Sequence, residues 1–184
     1  MESLFEFEFD IDEDDIHVNG RGRGAGSPQA LLGQTAPPFE LELLDGDSMA
    51  LAEHSGQDIV ILDFWATWCG PCIRAMPHQM EVAEEYRDQN VVFYAINQRE
   101  RDQTVSRFLE QREWDLTVPM DRDGSVGGLY NVRGIPQTVI IGRDGTVQAV
   151  HVGFSPRLGD RLRRELDTLL AGEHLVEPAE AGGE

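Results

Sequence analysis

Apolar and polar positions recur along this chain with two periods, and each change of period marks a new element. Phe5, Phe7, Phe9 and Ile11 alternate with Glu6, Glu8, Asp10 and Asp12, giving one apolar and one wholly acidic face. That pattern fits an added edge strand, the remnant of an upstream module, or an acidic arm that repels itself. Gly20-Arg21-Gly22-Arg23-Gly24-Ala25-Gly26-Ser27-Pro28 then reads as a flexible linker. Residues 39–44 and 48–51, joined by Asp45-Gly46-Asp47, predict a small β-hairpin. Residues 59–65 open on Ile59-Val60-Ile61-Leu62, an unbroken apolar run rich in β-branched residues that marks a strand covered on both faces.

From Pro71 the pattern turns helical. It predicts a helix over about 69–89, with Pro77 inside it removing one backbone bond and kinking the axis. A second core strand follows at 91–97, and then a helix at 102–111 with Val105, Phe108 and Leu109 on one face. A short helix near 125–130 precedes a hairpin of 137–141 and 147–152 around Arg143-Asp144-Gly145. The last helix, capped by Ser155 and begun by Pro156, carries the stripe Leu158, Leu162, Leu166, Leu169 and Leu170 and stops at Gly172. No internal repeat is present.

The 184 residues have room for one domain with a core, plus tails. The division read from composition is an acidic arm and linker at 1–30, a folded domain at 31–172 and a flexible acidic tail at 173–184. There are 34 acids against 15 bases, all of them arginine. Eight acids lie in 1–15 and four in 173–184. The domain alone therefore stays at about −9, a balance that argues against nucleic acid and anionic membranes as partners. No stretch approaches the ~18 apolar residues of a membrane span, and 1–15 has the wrong charge for a signal peptide. As written, the chain reads as cytoplasmic, without membrane insertion.

The candidate chemistry lies where the buried strand gives way to the long helix, in Asp63-Phe64-Trp65-Ala66-Thr67-Trp68-Cys69-Gly70-Pro71-Cys72, which holds the only two cysteines. Two thiols three positions apart meet when a helix starts at the first, so the pair is able to cycle between dithiol and disulfide. Cys69 would then sit at a helix N-terminus, where free N–H groups and the helix dipole favour a thiolate. The plainer readings are half of a zinc site or two inert buried thiols. Zinc needs two further ligands, and the five histidines do not stand at the spacing a finger uses.

Trp68-Cys69-Gly70-Pro71-Cys72 resembles the active site of the thioredoxin superfamily. Val132-Arg133-Gly134-Ile135-Pro136 resembles its second motif, the loop whose cis-proline faces the cysteines, and His151-Val152-Gly153 its third, a glycine that lets a substrate backbone approach. Gly33-Gln34-Thr35-Ala36-Pro37-Pro38-Phe39-Glu40-Leu41 and Phe64-Trp65-Ala66-Thr67-Trp68 are most similar to the TlpA-like disulfide reductases of the redoxin branch. The resemblance implies an α/β thioredoxin fold, a central mixed sheet flanked by helices, here with an N-terminal β-hairpin extension. It also implies a thiol-disulfide oxidoreductase in which Cys69 attacks a substrate disulfide and Cys72 resolves the mixed disulfide. Trp68, Gly70, Pro71, Ile135, Pro136 and Gly153 would contact the substrate.

Asp63, at the offset of the buried acid of thioredoxin, would take the proton of Cys72. The lysine that accompanies this acid in thioredoxin has no counterpart here, so its tuning is expected from burial, a water or an asparagine. No cofactor is implied beyond the Cys69–Cys72 pair. The implied partners are protein disulfides and an upstream thiol reductant, with the protein a monomer. TlpA-like proteins usually work outside the cytoplasm, which is the expected place if an export segment is missing. Rival readings are a thiol peroxidase, which wants threonine and proline before a lone cysteine, and a copper(I)-handling dithiol.

Overall fold

The computed structural model describes residues 26–179. The alternating stretch at 5–12 and most of the glycine–arginine linker lie outside the described residues. Eleven regular elements are described besides short 3-10 turns: β1 (Glu40–Glu42), β2 (Ser48–Ala50), β3 (Ile59–Trp65), α1 (Gly70–Tyr86), β4 (Val91–Gln98), α2 (Asp102–Arg112), β5 (Met120–Asp121), α3 (Ser125–Leu129), β6 (Gln137–Ile141), β7 (Val147–Val152) and α4 (Leu158–Leu170). β1 and β2 form the expected hairpin, paired Glu40 to Ala50 and Glu42 to Ser48.

The main sheet runs β5-β4-β3-β6-β7, with β3, β4 and β5 parallel and β6 and β7 antiparallel to their neighbours. A parallel pair needs a crossover, and α1 supplies it between β3 and β4. β3 is central and buried at every residue, which is why its sequence is apolar without alternation. The odd positions Ile59 and Ile61 pack with Ala75 and Val82 of α1 and Leu158, Leu162 and Leu166 of α4. The even positions Val60, Leu62 and Phe64 pack on the other face with Val126 and Tyr130. The arrangement is the thioredoxin fold, a mixed sheet between helices.

Three details differ from the sequence reading. The two-residue strand β5 has no signal of its own and forms because Met120 and Asp121 pair with Asn97 and Gln98. α4 begins at Leu158 rather than Pro156, since Ser155 closes a turn ahead of it: its Oγ accepts from the Arg157 N–H at 3.2 Å and its carbonyl from Leu158 at 3.0 Å. Residues 173–179, expected as part of a flexible tail, are docked. Buried Gln148 accepts from the N–H groups of Leu175 and Val176 at 2.8 and 3.2 Å and donates to the Val176 carbonyl, and the Ala179 N–H reaches the Gly33 carbonyl at 2.7 Å. Leu175 packs on the α1–α4 core, so an apolar side chain anchors a segment that its acids had marked as solvated. Among the described residues no helix is long and apolar enough to cross a membrane.

Candidate active site

β3 ends at Trp65, whose ring is fully buried and whose Nε1 donates to the Ala95 carbonyl at 3.0 Å. Three residues later Trp68 stands 72% exposed, the most exposed large apolar side chain described. Between them the chain turns out of the sheet, and a carboxylate from the end of β4 holds that turn. Glu100 accepts from the Thr67 N–H at 2.8 Å, from the Thr67 hydroxyl at 2.5 Å and from Asn97 Nδ2 at 2.8 Å. Nothing in the sequence near Glu100 announces this contact across 33 positions. Glu100→Ala strands the Thr67 N–H and the buried Asn97 amide. It should lower stability by about 2–3 kcal/mol in urea unfolding of the oxidised protein, with Glu100→Gln costing less.

Cys69 caps α1. Its backbone is extended, and the Cys72 N–H points at its Sγ at 3.2 Å. The two sulfurs are joined, S–S 2.12 Å with Cα atoms 5.2 Å apart. In the reduced state that same N–H and the helix N-terminus favour negative charge on Cys69. Pro71 in the first turn costs no hydrogen bond there. Cys69 is 4% exposed and Cys72 fully buried. The open sulfur expected from sequence is thus a narrow opening, because the loop before β6 covers it: the Ile135 carbonyl oxygen lies 3.6 Å from Cys69 Sγ. The Ile135–Pro136 bond is cis, and the Pro136 carbonyl accepts from the Gly153 N–H at 2.8 Å. Gly153 has φ +84°, which a side chain would strain, and the space where its Cβ would stand is empty.

Trp68, Gly70 and Pro71 flank the sulfur pair in the chain, Ile135 lies against it, and Gly153 is tied to the same loop through Pro136. Beside them the Arg74 guanidinium lies 5.7 Å above the Phe154 ring, and His78 stacks on the same ring at 6.0 Å.

Asp63 is fully buried, and burial pushes its carboxyl up to about 7 against the opposing hydrogen bonds of Gln79 and Thr138. Gln79 Nε2 donates to Asp63 Oδ1 at 2.7 Å, and the Thr138 hydroxyl to the same oxygen at 2.9 Å. Of the expected sources of tuning burial is the one found, while Asn97, opposite Trp65 in the register, is turned to Glu100. No hydrogen bond joins Asp63 to either cysteine, and its Oδ2 has no partner among the described residues.

Comparison with known proteins agrees with the site. Residues 32–150 match the AhpC/TSA family. The thiol-disulfide oxidoreductase ResA of Halalkalibacterium halodurans is 37% identical over 124 residues, 67% of this chain and 70% of that protein. The thioredoxin-like protein YneN of Bacillus subtilis is 35% identical over 140 residues, 73% and 79% of the two chains. The crystal structure of a thiol:disulfide interchange protein DsbE from Chlorobium tepidum, assigned by similarity, superposes with a TM-score of 0.70 at 33% identity, covering 76% of this chain and 97% of that one. With the fold, the cysteine pair and more than half of the sequence in agreement, the chain belongs to the AhpC/TSA family, next to its thioredoxin-like thiol-disulfide oxidoreductases.

Proposed function

We propose that the protein is a thiol-disulfide oxidoreductase that reduces protein disulfides through Cys69 and Cys72, the pair itself being the redox group and no other cofactor taking part. The observation that carries this reading is the Cys69–Cys72 disulfide at the start of α1, beneath the Ile135–Pro136 loop. The similarity to ResA supports it.

The Cys69 thiolate attacks one sulfur of a substrate disulfide and expels the other as a thiolate, forming a mixed disulfide. Cys72 then gives its proton to Asp63 and attacks Cys69 Sγ, releasing the second substrate thiolate. Two electrons pass to the substrate and the Cys69–Cys72 disulfide forms. An upstream thiol reductant returns it to the dithiol by the reverse sequence. Exposed Trp68 supplies an apolar platform, and an extended substrate segment lies along Ile135, Pro136 and Gly153, as strand addition requires. Gly70 and Pro71 keep the approach to Cys69 free of bulky side chains.

Partner trapping tests the reading. In Cys72→Ala the mixed disulfide on Cys69 has no resolving thiol, so thiol-reversible adducts should accumulate in the native cell, and the captured partners identify substrate and compartment together. An absence of adducts, combined with consumption of peroxide by the wild type, would favour a peroxidase instead.

A further inference from the structure

Among the described residues no cationic side chain pairs with buried Asp63. Along β3 it shares a face with Ile61 and Trp65, the face covered by α1. The buried residues of α1 are Cys72, Ala75, Met76, Gln79, Val82 and Tyr86, a stripe that sets Cys72 and Gln79 seven positions apart on one side. Beside Asp63 in the sheet stand Ala95 on β4 and Thr138 on β6. One strand further, opposite Thr138, is His151 of β7, which is bound to Glu165 of α4 at 2.8 Å. Arg74 and His78 of α1 are occupied with Phe154, and Arg163 of α4 with Glu81 and Glu85. Among the described residues only neutral groups hydrogen-bond the carboxyl.

They do so unequally. Gln79 Nε2 uses one hydrogen on Asp63 Oδ1 at 2.7 Å and the other on Thr138 Oγ1 at 3.0 Å, and the Thr138 hydroxyl donates to Oδ1 at 2.9 Å. Oδ1 thus accepts twice. Among the described residues Oδ2 has no donor, although it is buried, and Gln79 Oε1 is likewise buried without one. Orphan acceptors of this kind are costly, and a proton on Oδ2 removes the charge that makes one of them so.

We infer that Gln79 is a positioning residue for the resolving step: together with Thr138 it fills Oδ1 of Asp63 and leaves Oδ2 as the atom that takes up the Cys72 proton and later returns it. The assignment rests on Asp63 acting as the base for Cys72. The donor comes from α1 and is neutral, unlike the lysine that accompanies this acid in thioredoxin, and the difference has a consequence. A neutral donor orients the carboxyl without adding a charge that would hold it ionised, so burial keeps the upper hand and the acid exchanges its proton near neutral pH.

The test is Gln79→Met, which keeps the volume and removes the donor, with Thr138→Val as a second variant that removes the other donor at constant shape. In the reduced full-length protein the carboxyl ¹³C resonance of Asp63 is followed against pH. Its midpoint should move up by about one pH unit in either variant, because a donor to the charged form has gone. Resolution of a preformed Cys69 adduct should then slow about tenfold at pH 6 and approach the wild-type rate at pH 9, while the first attack by Cys69 is unchanged. An unmoved carboxyl midpoint in both folded variants overturns the assignment of Gln79. A midpoint that moves while the resolution profile stays fixed instead overturns the reading of Asp63 as the base.

Discussion

Cys69→Ser should abolish disulfide reduction, lowering turnover of an insulin-type substrate at least about a thousandfold, as removal of a nucleophile generally does. Cys72→Ser should give the opposite kind of failure, a protein that captures substrate and does not release it. The asymmetry follows from the start of α1. Cys69 is the cap residue, with the Cys72 N–H directed at its sulfur at 3.2 Å and a small opening to solvent beside Ile135. Cys72 is enclosed by Trp65, Met76 and Ala95 and has no surface on which a second protein could present a disulfide. The nearest disulfide sulfur it is able to reach is Cys69 Sγ after the first attack. Intact mass after exposure to substrate distinguishes the two variants, with no adduct on the first and a stable 1:1 adduct on the second. Equal alkylation rates of the two thiols in the reduced wild type would contradict this division of labour.

Asp63→Asn should slow resolution by Cys72 about a hundredfold at pH 7, the size of effect general base catalysis commonly supplies, and should leave the first attack by Cys69 little changed. The same substitution should stabilise the protein in alkaline solution. Burial raises the carboxyl from 3.8 to about 7, so the folded chain holds a proton that the unfolded chain has lost between those values. Stability from this group is complete below pH 4, declines as pH rises through 7, and above that the buried charge costs on the order of 4 kcal/mol. Asparagine keeps an acceptor for Gln79 and Thr138 and is never ionised. Its gain should therefore vanish near pH 4 and reach about 2–4 kcal/mol at pH 9 in urea unfolding. A gain independent of pH, or an unchanged resolution profile, would reduce Asp63 to a structural residue.

The parts of this molecule that depend on local pattern were legible in the sequence. The unbroken apolar run of β3, the leucine stripe of α4 and the cysteines at the strand-to-helix corner each carry their reason within a dozen residues. The cis Ile135–Pro136 bond and its place over Cys69 came only through the resemblance to thioredoxin, because nothing local requires that isomer.

The surroundings of Asp63 and of the Trp68 turn were not read, since they are assembled from distant pieces. Thr138 and Glu100 reach their partners across 75 and 33 positions. Gln79 did leave a trace. It occupies the seventh position after Cys72 on a stripe that also holds Ala75, Met76, Val82 and Tyr86, and a polar residue on a buried stripe implies a buried polar partner. Asp63 on the preceding strand was such a partner. The docking of 173–179 was hidden for the opposite reason: Glu173 and Glu177 flank the short apolar pair Leu175-Val176, yet the hydrogen bonds of Gln148 and the packing of Leu175 hold the segment.

The central claim is that this fold moves two electrons between one internal disulfide and the disulfide of another protein, and a single stoichiometric exchange measures it. Reduced protein, freed of reductant, is mixed under anaerobic conditions with a disulfide-bonded protein substrate, quenched in acid, and both partners are weighed by intact mass spectrometry after alkylation. The account predicts one Cys69–Cys72 disulfide formed for each substrate disulfide opened, with no exchange in Cys69→Ser. A substrate that remains oxidised while Cys69 and Cys72 stay reduced, at a pH where both proteins are folded, would contradict it.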